Sequence, residues 1–246
     1  VPNWCVNELT IKGKKKIVQK LKRKVRTDDV YLDFEKIVPT PESIKNTPSS
    51  SICNVRLALF GTDKQVEELI DSLLKTTEGE TAETVEYKQH IPEDVARAYP
   101  EQNLKALWLM FRRYEHSHLL DDADLKEGIR GYEQLANKFN HNLQAHGFTN
   151  WYDWRCANWG TKWNLDSSTT RVFEERENGL ALLKYGFDTA WSPPEAVVKE
   201  LAKRYPELAI QLRYWEGGMC FQGRLRLRGE KVYEDRTWKY SGSKGG

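Results

Sequence analysis

Three carboxylates stand beside tryptophans in this chain: Asp153 between Trp151 and Trp154, Asp188 three residues before Trp191, and Glu216 directly after Trp215. Apolar surroundings penalise the ionised form of a carboxyl group and raise its pKa, as a general acid or base working near neutral pH requires. The same neighbours also have a structural explanation, because a carboxylate pairs equally well with an indole N–H or with nearby Arg155 or Arg213. No phosphate-binding glycine loop, dinucleotide fingerprint, nucleophile elbow or zinc motif accompanies them. The expectation is a chain without catalytic residues or a cofactor, with an enzyme built on these carboxylates as the second alternative.

Metal and redox chemistry find little support in the spacing. Cys5, Cys53, Cys156 and Cys220 stand far apart with no C-x-x-C pair, which predicts four reduced structural thiols in a cytoplasmic protein. His116 and His118 fall two apart in a region that reads as helical, and His141 and His146 fall five apart, so neither pair shares a helix face. Asp121 and Asp122 do not complete a ligand set, and no metal is expected.

The densest signal is Asn150–Asn164, N-W-Y-D-W-R-C-A-N-W-G-T-K-W-N, with four of the nine tryptophans within thirteen residues. An indole brings a large apolar face and one N–H that needs a partner when buried, so the segment is either rigid core or recognition surface. In the core reading, Trp159–Trp163 is a tight turn pinning a strand end, with Trp191 and the prolines after it capping a sheet. In the recognition reading, Trp151, Trp154, Arg155, Trp159, Lys162, Trp163 and Trp191 belong to a binding surface. Tyr185 and Phe187, alternating on one strand, would join it as rings that stack bases, as on the four-stranded sheets of RNA-binding domains. The signature of those domains is absent from L-K-Y-G-F-D-T-A-W. Arg213, Arg224 and Arg226 complete the candidate set, the last two in a period-two row with Arg228 that puts all three on one strand face.

The elements that must position these residues follow from periodicity. Trp4–Ile11 alternates like a strand broken by Gly13, and Ile17, Val18, Leu21 and Val25 then mark a buried helix face. Asp33–Val38 reads as the next strand. Leu180–Trp191 predicts a strand, Ser192 caps a helix carrying Val197, Val198, Leu201 and Tyr205, and Leu208–Trp215 a further strand. Two strand-helix-strand units of this kind define an α+β, ferredoxin-like split β-α-β sandwich, an antiparallel sheet with helices on one face. It is composed of residues 1–40 and 148–240. Between its parts, 41–147 predicts a mainly helical insertion: a loop over Pro39–Ser51, a strand at Asn54–Phe60, a helix carrying Val66, Leu69, Ile70, Leu73 and Leu74, a flexible Thr76–Glu86, and helices over Leu104–Glu115 and Asp124–His146. Cys220–Arg228 and Lys231–Trp238 form a C-terminal β-hairpin, and 241–246 a disordered tail.

The chain has 246 residues, 39% hydrophobic and 30% charged, with no apolar run long enough to span a bilayer, so no membrane role is expected. Its net charge of +2 conceals polarity: nine Lys or Arg and no acid from Lys12 to Arg26, against eleven acids and four bases from Asp63 to Glu101. Such runs are ordinarily solvated helix faces, and they also offer two docking faces, one at Lys15, Lys16, Lys22 and Lys24 and one at Glu67, Glu68 and Asp71.

Five blocks together resemble the YubB ferredoxin-like domain family of plasmid- and prophage-borne proteins: P-N-W-C-V-N at Pro2–Asn7, F-E-K-I-V-P at Phe34–Pro39, W-Y-D-W-R-C-A-N-W-G-T-K-W at Trp151–Trp163, F-D-T-A-W-S-P-P at Phe187–Pro194, and Y-W-E-G-G-M at Tyr214–Met219. The resemblance implies a ferredoxin-like fold and a mobile genetic element as carrier, and supplies no catalytic residues. Combined with the charge polarity, it leads to the expectation of a non-enzymatic binding protein, with counter-defence docking to a host protein or protein–nucleic-acid complex. The alternative is RNA or single-stranded nucleic acid held on the aromatic and basic sheet face.

Overall fold

The computed structural model describes residues 3–49, 51–75, 97–115 and 122–242. In chain order the elements are β1 (Trp4–Lys14), α1 (Lys15–Lys24), α2 (Phe34–Ile37), α3 (Glu42–Lys45), a 3-10 turn (Ser51–Asn54), α4 (Val55–Phe60), α5 (Asp63–Lys75), α6 (Glu101–Glu115), α7 (Asp122–His146) and α8 (Trp151–Trp159). Then follow β2 (Arg171–Glu177), β3 (Leu180–Ala190), α9 (Glu195–Arg204), β4 (Ala209–Glu216), β5 (Phe221–Arg228) and β6 (Lys231–Lys239). The chain divides into two compact units, one of residues 1–41 with 152–246 and the other of residues 42–151.

The first unit is built on a six-stranded sheet in the order β2-β3-β1-β4-β5-β6, every neighbouring pair antiparallel. Strands β2-β3-β1-β4 with α1 and α9 reproduce the ferredoxin-like order, and the β5–β6 hairpin widens the sheet beyond β4. Alternation along each strand sends Cys5, Asn7, Leu9 and Ile11 of β1, Leu183, Tyr185 and Phe187 of β3, and Ile210, Leu212 and Tyr214 of β4 to the buried side. There α1 packs on β1 and β3 through Val18 and Leu21, and α9 packs on β4 and β5 through Val197, Val198 and Leu201.

Several expectations are corrected. Asp33–Val38 is not a strand: Phe34 and Ile37, three apart, are both buried by the helix α2, and Asp33 Oδ1 accepts the Glu35 N–H at 2.9 Å as its cap. The second strand of the fold is Arg171–Glu177, joined to β3 through Asn178 and Gly179, both at positive φ as a tight hairpin requires. Gly13 does not end β1, which runs on to Lys14; a Cβ there would strike the Leu208 side chain, so the glycine serves close packing. Ser192 does not cap α9, whose N-cap position is Pro194; its hydroxyl donates instead to the Gly160 carbonyl at 2.5 Å.

The second unit is helical throughout its described elements. Asn54–Phe60, expected as a strand, is the end of the 3-10 turn and the helix α4, buried through Val55 and Ala58. A capping box opens α5: the Thr62 N–H donates to Gln65 Oε1 at 2.9 Å, and Thr62 Oγ1 accepts the Gln65 N–H at 3.4 Å. Val66, Leu69, Ile70 and Leu73 of α5 share a core with Leu104 and Leu107 of α6 and with Ile129, Tyr132 and Phe139 of α7. Gly128 lies where a Cβ would enter the Phe111 ring, and that ring meets Tyr132 edge-on at 5.8 Å. The expected loop over Pro39–Ser51 contains the short helix α3. The stretch Thr76–Glu86 and residues 243–246 of the expected tail lie outside the described residues. Among the described residues no helix is long and apolar enough to cross a membrane.

Candidate functional site

The tryptophan-rich motif divides into a core half and a surface half. Trp159, at the end of α8, is fully buried; its Nε1 donates to the Val38 carbonyl at 2.7 Å, and its ring meets Phe34 at 5.7 Å and Trp154 at 6.3 Å edge-on. The Arg155 guanidinium lies 4.5 Å from the Trp159 ring centroid and donates to Glu35 Oε1 at 2.9 Å and Thr40 Oγ1 at 3.2 Å. Trp154 is buried as well. Among the expected binding residues, Arg155 and Trp159 therefore hold α8 against α2, Trp154 packs on the Trp159 ring, and Trp151 is only half-buried at the helix start.

After α8 the chain turns through Gly160 at φ +84°, where a Cβ would lie 2.6 Å from the Pro193 carbonyl oxygen. Ser192 bonds Gly160, Thr161 Oγ1 donates to the Ala190 carbonyl at 3.1 Å, and Thr189 Oγ1 to the Ser192 carbonyl at 2.7 Å. Asn164 finishes the lock, accepting the Phe34 N–H at 2.9 Å and donating to Asp33 Oδ1 at 2.7 Å. Two motifs distant in sequence are thus one rigid junction.

That junction presents aromatic rings to solvent. Trp163 is 40% exposed with Lys162 Nζ 4.1 Å from its centroid, and it lies 6.1 Å from Trp4, itself 46% exposed. Trp191 is 43% exposed and holds φ +71°, a conformation that costs a side-chain-bearing residue about 1–3 kcal/mol. Its N–H is tied to the Asn3 carbonyl at 2.9 Å.

Trp4 opens the sheet face directed away from α1 and α9. Register aligns Val6, Trp215, Gln222 and Trp238 in one row across β1, β4, β5 and β6. Two residues further along the strands, Glu8, Arg213, Arg224 and Arg236 form the next row, with Arg226 opposite Glu234 beyond it. Acids compensate part of this charge: Arg224 donates to Glu234 at 3.1 Å, Arg226 lies 3.8 Å from Glu234, and Arg213 lies 3.9 Å from Glu8. Arg236 lies 5.8 Å from the Trp238 ring centroid. A row of indoles beside a row of guanidinium groups can lay apolar faces on a partner while pairing its anionic groups.

Of the residues singled out from sequence, Arg213, Arg224 and Arg226 share this face, and Trp163, under Lys162, lies beside Trp4; Trp4, Trp215, Trp238 and Arg236 on the same face were not singled out. Strand alternation carried the signal for each, but only strand register gathers them. The expectation for Tyr185 and Phe187 is overturned: they are 1% and 2% exposed on the helix side, Phe187 edge-on to Phe34 at 6.2 Å, so neither ring can stack a base. Lys15, Lys16 and Lys24 are exposed on α1, whereas Lys22 donates to Glu174 Oε2 at 2.7 Å. Glu67, Glu68 and Asp71 form an exposed face of α5 in the second unit.

The carboxylates with acid–base potential do not converge. Asp188 is on the open face, where burial pushes its pKa up and Arg171 partly restores it. Glu216 is on the opposite face, accepting the Gly218 N–H at 2.8 Å and the Met219 N–H, and Asp153 is exposed on α8. All four cysteines are free thiols, and burial pushes Cys5 up to about 12. Among the described residues no group of three or more His, Cys, Asp or Glu is arranged to hold a metal ion; His116, His118 and Asp121 lie outside them.

Strand order and helix placement define this unit as ferredoxin-like. In agreement, residues 158–244 match the family model described as a ferredoxin-like domain in Api92-like protein. No curated protein matches the chain. Among solved structures it is similar to a protein api92 from Yersinia pseudotuberculosis, with 18% identity, a TM-score of 0.41 and 99% of each chain covered.

Proposed function

We propose that this chain is a non-enzymatic binding protein that docks to a macromolecule through the open face of its sheet. One observation carries the reading: Trp215 and Trp238 fall in one row and Arg213, Arg224 and Arg236 in the next, with exposed Trp4 and Trp163 at the same end. Tryptophan and arginine dominate the energetic centres of protein interfaces, because both offer large contact area with few rotatable bonds to immobilise per contact. The carboxylates, scattered over α8 and opposite faces of the sheet, support a binding role over catalysis.

On this reading the partner is a host protein or protein–nucleic-acid complex in the cytoplasm. The carrier is a mobile genetic element of the kind that bears YubB proteins, and the benefit is counter-defence. Those three statements rest on the resemblance of the motif blocks. A narrower second reading, single-stranded nucleic acid as the partner, is favoured by the guanidinium row beside the indoles, since bases stack on aromatic rings while arginines neutralise phosphates.

The test is a pull-down from bacterial lysate with the intact chain and with the triple variant Arg213→Glu, Arg224→Glu, Arg236→Glu, each with and without nuclease. A stoichiometric protein that survives nuclease and is lost with the variant is expected. Nucleic acid recovered alone, and lost with the variant, selects the second reading. Identical capture by both chains overturns the assignment of the face.

A further inference from the structure

A second site lies on the helix side of the same sheet, away from the face assigned above. Lys22 at the end of α1, Arg26 just beyond it, Tyr31, Thr170, Val172, Glu174 and Tyr185 enclose a pocket of about 510 Å³. Register sets Val172 opposite Tyr185 and Glu174 opposite Leu183, so β2 and β3 supply its floor. Tyr185, 1% exposed, lines this floor, and its buried hydroxyl has no hydrogen-bond partner among the described residues. A buried hydroxyl left unpaired is costly, and native structures seldom leave one without a ligand or water to satisfy it.

The charges of the pocket identify what would satisfy it. Glu174 has both oxygens engaged, one by Lys22 Nζ at 2.7 Å and the other by Arg176 Nε at 2.6 Å, so its negative charge is spent within the wall. Arg26 makes only a long contact of 3.5 Å to the carbonyl of the adjacent Thr27, and no acid pairs with it among the described residues. Arg171 also borders the pocket, but register sends its side chain to the open face with Gly186. What remains is one guanidinium, one hydroxyl able to donate, and the Tyr31 ring, 47% exposed.

We propose that this pocket binds a small oxyanion, a phosphate or a carboxylate borne by a compact molecule, held by the Arg26 guanidinium and by a hydrogen bond donated from the Tyr185 hydroxyl. Two side chains lining one space, one bearing a guanidinium and one a hydroxyl, offer donors suited to the planar or tetrahedral oxygens of such groups, and the volume lies within the usual range of small-ligand sites.

The experiment is calorimetric titration of the full chain with inorganic phosphate and, separately, acetate, at constant ionic strength. Tyr185→Phe and Arg26→Gln are compared with wild type. Tyr185→Phe keeps the ring in the core and removes only the unpaired hydroxyl, so its fold is retained. Saturable binding of one of the two anions is expected, weakened about tenfold or more in each variant. The anion that binds tells phosphoryl from carboxylate chemistry. The proposal is overturned if neither anion binds, or if Tyr185→Phe binds as tightly as wild type. It is equally overturned if binding is lost only when Arg213 and Arg224 are changed to Gln, which would locate the anion on the open face.

Discussion

Replacing Trp159 and Trp163 separately by alanine should give sharply different results, although the two residues belong to one motif. Trp159 is fully buried, contacts two aromatic rings, carries the Arg155 guanidinium and satisfies the Val38 carbonyl. Truncating a core tryptophan costs about 3–5 kcal/mol, and orphaning the carbonyl adds roughly 1 more, for a total of about 4–6 kcal/mol. That loss rivals the whole stability of many domains, so Trp159→Phe provides a measurable companion. It keeps a ring against Phe34, loses the indole bond, and should cost about 1–2 kcal/mol. Trp163, 40% exposed and stacked under a lysine, should lose less than about 1 kcal/mol on conversion to alanine. Urea unfolding followed by circular dichroism gives the stabilities, and amide exchange resolves the first unit, since two units need not unfold in one step. A cost for Trp163→Ala at or above that of Trp159→Phe would refute the division of the motif into core and surface.

Gly160→Ala should destabilise by about 2–4 kcal/mol, combining a left-handed backbone with a Cβ pressed on the Pro193 carbonyl; calorimetric melting checks it. Arg176 and Lys22 hold Glu174 at about 2, down from the ordinary 4.5. Because the folded value is depressed, its stabilisation is complete above pH 4.5 and lost as pH falls toward 2. Glu174→Gln should therefore flatten that limb of a stability–pH curve. Cys220, exposed, should react readily with a thiol reagent at pH 8, whereas Cys5, buried and pushed up to about 12, should react only in denaturant. Equal rates for the two thiols in the native chain would contradict the burial of Cys5.

Where the sequence was legible, one period dominated. The alternation of Trp4–Ile11 and Leu180–Trp191 and the spacing of Val18, Leu21 and Val25 each state a face, and the fold keeps those faces. Asp33–Val38 misled because a four-residue helix has room for only one i, i+3 pair, Phe34 and Ile37, which a strand reading absorbs as two apolar positions. Arg171–Glu177 was invisible as a strand because it forms the outer edge, with four charged residues in a row from Glu174 to Glu177 and no buried residue. The Asn178-Gly179 pair after it was nonetheless an available hairpin signal. The Trp–Arg face could not be read strand by strand. Trp4, Trp215 and Trp238 lie apart in sequence, and only pairing register sets Trp215 and Trp238 in one row with Val6, two residues along β1 from Trp4.

The central position of β1 has a consequence for synthesis. Leu9 pairs with Tyr185 on one side and with Leu212 on the other, so both edges of β1 must wait for strands translated much later. At about 5–20 residues per second a ribosome needs roughly 10–35 s to travel from Leu9 to Tyr185. Throughout that interval β1 is an apolar ribbon with two unsatisfied edges, the form in which nascent chains attract one another and recruit chaperones. The helical unit, whose core cluster is drawn from residues within 42–151, has the same interval in which to fold. A circular permutant that translates β1 and α1 after β6 would deliver the strand to a sheet already waiting for it. Its yield in cells would measure how much of this chain's folding burden lies in the order of its synthesis.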